Sequence, residues 1–575
     1  MRARRIFLAL AVLCAGACSL DDAPQVTVLQ GTLRGHHLTS RKGRKFVAFQ
    51  GVPYAKPPLG DLRFRAPEPP EAWNGMREAT RYSPVCIQRS IFAKQVEVAG
   101  SEDCLYLNVF SPKVATNAGM DVMVWFHGGG FVSGAGSFYG PEHLLDEDIV
   151  LVTVNYRLGP IGFLSTGDAV APGNFGLKDQ VAALRWVHEN IRVFGGNPDS
   201  VTLFGESAGG SSVHYHMLSP LSKGLFHRGI SQSGTALCTW AIAANGTSTE
   251  QAKKLATLLN CPTRHTADLV DCLRTKDAKD IISTDKKFME WDVDPLIPFK
   301  PVVEPTDMLD AFLPAEPLQL LQEGPQSIPW LTGINSGDGA LKAAAIYEKE
   351  ELVIELNSQF ERLAPITLLY RDLSSPDMAV EISQRIRSFY FDDLPIGNDT
   401  LLKVVDMYTD SFFLWAADEA VRIQLSRNLL AGGGAPIYYY YFAYRGPHSF
   451  SELFGDPTRD FGVCHADELI YLFPAARVFG NFTATPEEEK MTDYLIHTWT
   501  NFARTGNPTP LNSKSELVAT KWLPVSSTND LEYLHIGSPS DIHMDNGLLQ
   551  DRVQFWTSLP LRPTRAARSL LHDEL

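Results

Sequence analysis

The sequence has little positive charge and no stretch typical of a linker. Across 575 residues, 51 Lys and Arg residues stand against 66 Asp and Glu residues, and the formal net charge of −15 argues against nucleic acid as a partner. No long Ser/Gly or Pro tract, block of like charges or internal repeat divides the chain. Hydrophobic residues make up 44% of the sequence, ample for a large buried core. We therefore expect one large domain over residues 18–571.

The sequence also lacks the common metal and cofactor motifs. No His-Glu-x-x-His zinc pattern occurs, and the Gly-Ala-Gly at residues 134–136 lacks the spacing of a dinucleotide-binding loop. We therefore expect neither a metal nor an organic cofactor.

No apolar run is long enough to span a bilayer, but the N-terminus has the pattern of a secretory signal peptide. Three arginines within residues 2–5 precede an apolar run at 6–15, and the small residues 15–17 allow cleavage. We assign residues 1–17 to this signal, with a lipoprotein signal ending at Cys18 as the alternative. The pattern predicts entry into the secretory pathway without a transmembrane anchor.

The C-terminus and three sequons indicate the same pathway. Residues 572–575 read His-Asp-Glu-Leu, a tail that an ER-retrieval receptor binds. Glycosylation sequons occur at Asn245, Asn398 and Asn481. The sequence thus predicts a glycoprotein of the endoplasmic reticulum lumen.

Cysteine usage fits an oxidising compartment. Beyond Cys14 and Cys18, the cysteines are Cys86, Cys104, Cys238, Cys261, Cys272 and Cys464. Sequence alone leaves many pairings open. Short loops favour Cys86–Cys104 and Cys261–Cys272, which would leave Cys238 and Cys464 as free, inert thiols.

Strand and helix signals alternate through the central part of the chain. Continuous apolar runs at 122–126 and 149–155 are typical of strands covered on both faces. The pattern also predicts short strands at 25–33 and 45–49, helices at 177–194 and 487–505, and strands at 201–204, 229–234, 330–335 and 436–443. Residues 248–380 are more irregular, and we interpret part of them as an insertion that shapes a pocket. This alternation predicts an α/β fold with a large, mostly parallel sheet flanked by helices.

A strand-turn-helix pattern surrounds Ser207. The β-forming residues 201–204 lead into Gly-Glu-Ser-Ala-Gly at 205–209, and a helical segment follows. A serine hydroxyl acts as a nucleophile when it stands clear of the sheet and meets a base, and a sharp turn provides this position. Gly205 and Gly209 leave room for the chain to reverse. We therefore predict that Ser207 is a nucleophile.

Acyl transfer also needs hydrogen-bond donors where the carbonyl oxygen becomes an oxyanion. His-Gly-Gly-Gly at 127–130 directly follows the apolar strand, and its glycines let backbone N–H groups approach a ligand closely. Ala208, the residue after the nucleophile, would supply a further N–H group.

The base of such a site comes late in the chain, after the acid. His465 lies in a loop between the strand at 436–443 and an apolar segment, and it is the candidate base. Asp338 follows the strand at 330–335 and lies between glycines; it would orient the imidazole and stabilise the imidazolium. His214 and His216, beyond the serine, are expected to pack or to lie on the surface.

Five motifs carry a family resemblance. They are Glu-Asp-Cys-Leu-Tyr-Leu-Asn-Val-Phe at 102–110, Phe-His-Gly-Gly-Gly at 126–130, Phe-Gly-Glu-Ser-Ala-Gly at 204–209, Ser-Gln-Ser-Gly at 231–234 and Gly-Val-Cys-His at 462–465. Together they resemble the type-B carboxylesterase/cholinesterase family, and most closely the arthropod carboxylesterases. The resemblance extends from about residue 25 to about residue 560.

The resemblance implies an α/β-hydrolase fold and a serine carboxylesterase that cleaves small-molecule esters through an acyl-enzyme. It implies a triad of Ser207, Asp338 and His465 and an oxyanion hole formed by Gly129, Gly130 and Ala208. It also implies the disulfides Cys86–Cys104 and Cys261–Cys272, and a buried Ser233 hydrogen-bonded near the triad acid.

Two features depart from the family pattern. Asp338 stands where the family more often has Glu, so its side chain is shorter by one C–C bond, about 1.5 Å. Cholinesterases carry a tryptophan in the first disulfide loop, which binds a quaternary ammonium by cation–π contact. Here the loop at 87–103 contains only Phe92 as an aromatic residue, so a cholinesterase is disfavoured.

Two alternatives remain open. A specialised hormone or lipid ester hydrolase would share every residue named above. A non-catalytic, cholinesterase-like interaction protein would keep the fold, but such proteins usually lose the nucleophile, which this sequence retains.

Overall fold

The computed structural model describes residues 23–90, 97–480, 482–511 and 520–561. The predicted signal peptide, Cys18, the sequon at Asn481 and the C-terminal tail lie outside the described residues. Within them, no helix combines the length and the apolar character needed to cross a membrane.

The described strands form one large and one small sheet. In chain order they are β1 (Gln25–Val28), β2 (Gly31–Arg34), β3 (His36–Thr39), β4 (Lys45–Pro53), β5 (Met76–Glu78), β6 (Tyr106–Ser111), β7 (Met120–Phe126), β8 (Ile149–Val154), β9 (Gly196–Glu206), β10 (Arg228–Gln232), β11 (Trp330–Asn335), β12 (Ile437–Phe442), β13 (Glu532–Ser538) and β14 (Asp541–Asn546). The large, 11-stranded sheet has the order β14-β13-β12-β11-β10-β9-β7-β8-β6-β4-β3, and β1, β2 and β5 form the small one.

The centre of the large sheet is parallel. The strands from β8 through β7, β9, β10, β11 and β12 to β13 run in one direction. Antiparallel pairs occur at the two ends, among β3, β4, β6 and β8 and between β13 and β14. Parallel strands present their carboxyl ends at one edge of the sheet, where ligands bind in open α/β folds.

Helices flank this sheet and fill the insertions. They are α1 (Gly159–Phe163), α2 (Phe175–Asn190), α3 (Ala208–Leu218), α4 (Thr247–Leu258), α5 (Thr266–Arg274), α6 (Ala278–Ser283), α7 (Pro317–Glu323), α8 (Ala340–Tyr347), α9 (Glu350–Ser358), α10 (Phe360–Thr367), α11 (Pro376–Phe391), α12 (Leu401–Thr409), α13 (Trp415–Leu430), α14 (Ser451–Phe454), α15 (Leu469–Leu472), α16 (Ala476–Phe479), α17 (Pro486–Thr505) and α18 (Gln550–Ser558). A π-helical turn, Asp410–Leu414, joins α12 to α13.

Strand β7 shows how the sheet is covered on both faces. Val122, Val124 and Phe126 belong to one buried cluster, which also contains residues of α2 and α3. Met123 and Trp125 belong to a second cluster, which contains residues of α17. Because alternate residues of a strand point to opposite faces, a continuous apolar run is what this position requires.

Helix α17 has clear start and stop signals. The Thr485 side chain accepts a hydrogen bond from the backbone N–H of Glu488, and the Glu488 carboxylate accepts one from the N–H of Thr485. Such a capping box satisfies N–H groups that have no partner within the helix. At the other end Gly506 takes a φ of 73°, which favours glycine.

The predicted α/β class and mostly parallel sheet are confirmed, but some boundaries differ. The predicted helix at 177–194 ends as an α-helix at Asn190, and 191–194 form a tighter 3₁₀ turn closed by Gly195 at a φ of 87°. Apolar spacing does not separate an α-helix from a 3₁₀ turn. Strand β9 begins at Gly196, earlier than the predicted 201–204.

The structure contains both expected disulfides, Cys86–Cys104 and Cys261–Cys272. Cys238 and Cys464 are free and buried. Burial raises the pKa of Cys238 to about 12 and that of Cys464 well above its ordinary value. Both thiols therefore stay protonated, which fits the expected inert role.

A buried ion pair fixes α2 against the carboxyl end of β8. The Arg157 guanidinium donates to both oxygens of Asp179, with N–O distances of 2.8 and 2.7 Å, and the Arg157 backbone N–H donates to the same carboxylate. The side chains are 1% and 0% exposed. Removing one partner would leave an uncompensated charge in the core.

We therefore predict that Asp179→Ala lowers the free energy of unfolding by about 3–5 kcal/mol, because it strands the Arg157 charge. Urea denaturation of the purified protein measures this loss. Asp148→Ala is the matched control, because Asp148 is 71% exposed in its pair with Arg44, and its loss should be at most about 1 kcal/mol. Equal losses in the two variants would contradict the prediction.

Candidate active site

Ser207 stands on the sharp turn between β9 and α3. Its φ of 59° and ψ of −122° are unusual for a residue with a side chain. A Cβ added at Gly209 would lie 1.9 Å from the carbonyl oxygen of Phe126, and one added at Gly205 would lie 2.5 Å from the Gly209 carbonyl carbon. Both glycines are therefore sterically required. The turn leaves Ser207 partly exposed, while every residue of α3 is buried.

The glycine loop after β7 lies directly beside this turn. A Cβ added at Gly128 would be 3.1 Å from the Cβ of Ser207. Gly129 and Gly130 have φ values of 105° and 61°. Within the described part of the chain, neither of their N–H groups donates to another backbone group. Ala208 opens α3, and the first N–H groups of a helix have no intrahelical partner. Gly129 and Gly130 line the same cavity as Ser207, so their N–H groups remain available to a ligand there.

The structure brings Asp338 and His465 together. The ring Nδ1 of His465 lies 2.8 Å from Asp338 Oδ1. The other oxygen, Oδ2, accepts hydrogen bonds of 2.9 Å from the Ser233 hydroxyl and of 2.9 Å from the Asn335 N–H. An ionised carboxylate only accepts, so Nδ1 carries the proton and the neutral ring has its lone pair on Nε2.

The Nε2 atom of His465 faces a second carboxylate, which the sequence analysis did not assign. Nε2 lies 2.9 Å from Glu206 Oε1, the residue before Ser207. Among the described residues Nε2 has no aligned hydrogen bond, so its bond to the Ser207 hydroxyl is not formed in this state. Ligand-free sites often have such bonds long or misaligned. Ser207, Glu206 and His465 nevertheless line the same cavity.

These two carboxylates set the charge of the imidazole. Burial of the ring alone would lower its pKa. The negative charge of Glu206 and the hydrogen bond to Asp338 outweigh burial, so the pKa of His465 lies well above its ordinary value. The two carboxylates therefore favour the protonated ring more than they would in a site without them.

A further buried acid lies behind the site. Glu468 accepts hydrogen bonds from the Gln232 and Asn335 side-chain amides, at 2.9 and 2.6 Å. Burial, then the charges of Glu206 and Asp338, raise the pKa of Glu468 to about 8, against the opposing effect of the two amides. Glu468 is therefore largely uncharged near neutral pH, which limits the negative charge around His465.

The cavity above Ser207 has a volume of about 630 Å³ and is mostly apolar. Its apolar lining comes from distant segments: Trp240, Leu296, Ile297, Phe413, Phe450 and Phe473. Among the described lining residues, the charged or titratable ones are Tyr139, Glu206, His465 and Arg477. Arg477 is paired with Glu142 at 2.8 Å. The cavity therefore suits an uncharged, apolar ligand.

Phe413 enters the site from the π-helical turn. Its ring centroid lies 4.6 Å from that of His465. The carbonyl of the preceding residue, Phe412, accepts a 2.9 Å hydrogen bond from the indole of Trp240. A π turn adds a residue to a helical turn and often occurs at functional sites. Here it sets a phenyl ring against the imidazole, which no sequence motif indicated.

The other predicted residues have clear positions. His214 and His216 are buried, so they have the expected packing role and do not lie on the surface. Burial lowers the pKa of each to about 3. Asn245 and Asn398 are exposed. Of the residues that sequence analysis missed, Glu206 lies inside the serine motif and Glu468 lies three positions after His465. Proximity to these motifs was the available signal.

Comparison with known proteins identifies the family of this chain. The profile described as "Carboxylesterase family" matches residues 22–556. "Venom carboxylesterase-6" of Apis mellifera is 38% identical over 551 residues, which cover 95% of this chain and 96% of that protein. "Esterase FE4" of Myzus persicae is 40% identical, with 89% of each chain covered.

Two further relatives have "Juvenile hormone esterase" in their names. The Tribolium castaneum protein is 38% identical, with 94% of each chain covered. The crystal structure of the Manduca sexta enzyme, with OTFP covalently attached, superposes with a TM-score of 0.82 at 29% identity and covers 94% of this chain and 99% of that chain. The fold is thus the α/β-hydrolase fold. Agreement in sequence and structure over nearly the full length shows that this chain belongs to the carboxylesterase family, and it is a carboxylic ester hydrolase.

Proposed function

We propose that Ser207, His465 and Asp338 form the catalytic triad of a serine carboxylesterase. The observation that carries this proposal is the 2.8 Å contact of His465 Nδ1 with Asp338, on a ring whose Nε2 lies 2.9 Å from Glu206, the residue before Ser207. Asp338 holds the proton on Nδ1, so that the neutral ring can accept one at Nε2.

The reaction proceeds through an acyl-enzyme. Neutral His465 takes the proton of Ser207 as Oγ bonds to the ester carbonyl carbon, and the N–H groups of Gly129, Gly130 and Ala208 bind the oxyanion. The C–O bond to the alcohol then breaks, and the imidazolium protonates the leaving oxygen. Water, deprotonated by the same ring, attacks the acyl-enzyme and releases the carboxylic acid.

The apolar cavity supports an uncharged, apolar ester as the small-molecule substrate. A hormone or lipid ester is the alternative, supported by the two relatives named as juvenile hormone esterases. A panel of esters that differ in acyl and alcohol length separates a general carboxylesterase from a specialised one. The complete set of candidate residues argues against a non-catalytic interaction protein.

We also propose that residues 18–571 form the mature enzyme domain in the lumen of the endoplasmic reticulum. The two disulfides and the exposed sequons at Asn245 and Asn398 support a secretory route. An ER-retrieval receptor would bind the tail at residues 572–575.

Removal of the Ser207 hydroxyl tests the catalytic proposal. Ser207→Ala should lower kcat by at least about 10⁴-fold, because no other group can form the acyl-enzyme. Hydrolysis of a chromogenic ester measures this fall, and an organophosphate should modify Ser207 in the wild type. Ser211→Ala is the matched control on α3, because the Ser211 hydroxyl bonds to Thr235 O away from the cavity. Near-normal turnover in Ser207→Ala would reject the assignment.

The raised pKa of His465 predicts the shape of the pH profile. Catalysis needs the neutral ring, so kcat/KM should rise with pH until His465 is deprotonated. Glu206→Gln removes a negative charge 2.9 Å from Nε2, which lowers the His465 pKa and should shift the acid limb to lower pH by about one unit or more. Glu142→Gln, which removes the charge of the partner of the cavity-lining Arg477, should leave this limb in place. An unshifted limb in Glu206→Gln would contradict this account.

Changes to the C-terminal tail test the proposed location in the endoplasmic reticulum. Deletion of residues 572–575 should move the enzyme from the cells into the medium, because the retrieval receptor loses its ligand. Immunoblots of both fractions measure this change. Two alanines appended after Leu575 should have the same effect, because the retrieval signal is then no longer at the C-terminus. Full retention of both variants would argue against receptor retrieval.

A further inference from the structure

Three successive carbonyl groups at the start of the glycine loop, those of His127, Gly128 and Gly129, are hydrogen-bonded. The carbonyl oxygen of His127 accepts from the Tyr156 hydroxyl at 2.7 Å. The carbonyl of Gly128 lies 2.8 Å from the His127 ring Nδ1. The carbonyl of Gly129 accepts from the N–H groups of Val132 and Ser133 at 3.1 and 3.0 Å.

Bonded carbonyls determine where the loop N–H groups point. In a planar trans peptide the C=O and the N–H of one unit point in opposite directions. The bond to the carbonyl of Gly128 therefore orients the N–H of Gly129, and the bonds to the carbonyl of Gly129 orient the N–H of Gly130. The first of these two orientations depends on a side chain, the imidazole of His127.

We propose that His127 is a positioning residue for the oxyanion hole, where its Nδ1–H fixes the peptide that presents the Gly129 N–H, with Tyr156 as its support. This inference rests on the proposed esterase function. His127 does not touch the reacting atoms; it acts through the backbone.

The ring of His127 has a single defined arrangement. It is fully buried and stacks on the Tyr156 ring, with centroids 4.3 Å apart and planes at 16°. A carbonyl oxygen only accepts, so Nδ1 carries the proton. Burial lowers the pKa of His127 to about 4, against the opposing bond to Gly128, so the ring is neutral at working pH. It therefore supplies a directed donor without placing a charge beside the site.

The backbone of Gly134 packs closely against the His127 ring. A Cβ added at Gly134 would lie 2.3 Å from His127 Nδ1 and 2.5 Å from the Gly128 carbonyl oxygen. Gly134 is itself held at both backbone groups by the Gln88 side chain, with bonds of 2.7 and 2.9 Å. Gln88 also donates to the carbonyl of Cys86. The first disulfide loop thus supports the turn that confines the ring.

Two substitutions separate the hydrogen bond from the packing of the ring. Asn places its Nδ2 where His has Nδ1, so His127→Asn keeps a donor for Gly128, whereas His127→Leu fills space without one. We expect His127→Leu to lower kcat about 10²-fold, as for a displaced oxyanion donor, with KM changed less than about threefold. His127→Asn should recover most of the loss.

A trifluoromethyl ketone gives a readout that a merely structural role would not change. Ser207 Oγ adds to its carbonyl carbon, the hydroxyl proton passes to His465, and the ketone oxygen becomes an oxyanion in the hole. Its affinity should therefore fall by the same factor as kcat/KM in His127→Leu. Tyr156→Phe, which keeps the stacked ring, should cost about tenfold in both quantities, as for one lost hydrogen bond.

Rates are divided by the concentration of active sites, which is measured by titration with an organophosphate. Misfolded protein therefore does not contribute to the comparison. His214→Leu is the matched control, because His214 is also buried, neutral and stacked, on Trp330 at 4.7 Å. It should lower stability without changing ketone affinity per site. The inference is overturned if His127→Leu keeps wild-type kcat and ketone affinity, or if His127→Asn loses as much as His127→Leu. Activity in Ser207→Ala would instead reject the proposed function itself.

Discussion

The buried imidazole of His465 lies between two carboxylates that come from different strands. Asp338 follows β11, Glu206 ends β9, and His465 lies in the loop after β12. These strands lie in the parallel part of the sheet, with β10 between β9 and β11, so their carboxyl ends are at one edge. A shift of the register of any of these strands would move one partner away from the ring, so the site depends on the pairing of β9 through β12.

The apolar cavity strengthens the interaction between these carboxylates and the His465 ring. In a site that excludes water, an interaction between a carboxylate and an imidazolium is stronger than in bulk solvent. The same exclusion makes additional negative charge costly. The raised pKa of Glu468, which burial and the neighbouring carboxylates maintain against its two amide partners, limits that charge. The site therefore holds enough negative charge to stabilise the imidazolium that forms during catalysis, but that charge also raises the pH at which the resting ring becomes neutral.

The sequence could predict the parts of this site that a local motif determines. Gly205 and Gly209 around Ser207, and Gly128 and Gly129 in the glycine loop, are fixed by short steric contacts, and such constraints appear in a sequence as small residues next to an apolar strand. Chain order and a position directly after a strand made Asp338 and His465 candidates, and the family resemblance implied the same pair. The predicted fold class followed from the alternation of apolar runs and helical segments, with errors at the junction of α2 and β9.

Other features depend on packing that no motif encodes. The approach of Glu206 to Nε2 depends on the rotamer of a side chain at a turn. The position of Phe413 depends on one extra residue in a helical turn, and apolar spacing does not reveal that insertion. The cavity lining comes from segments between Gln88 and Phe479 that meet only in the folded chain.

Asp338, the proposed triad acid, shows how the backbone can compensate for a short side chain. An aspartate reaches about 1.5 Å less far than a glutamate. The structure nevertheless has a 2.8 Å contact between Asp338 and His465, because the two loops are joined directly: Gly337 pairs with Cys464 in a parallel bridge, and the Gly337 N–H donates to the carbonyl of Val463 at 2.9 Å. The residues next to Gly337 and Cys464 are the acid and the base themselves. Since a Cβ at Gly337 would lie 3.0 Å from that same carbonyl, the small residue before Asp338 permits the close approach of the loops that a shorter acid requires.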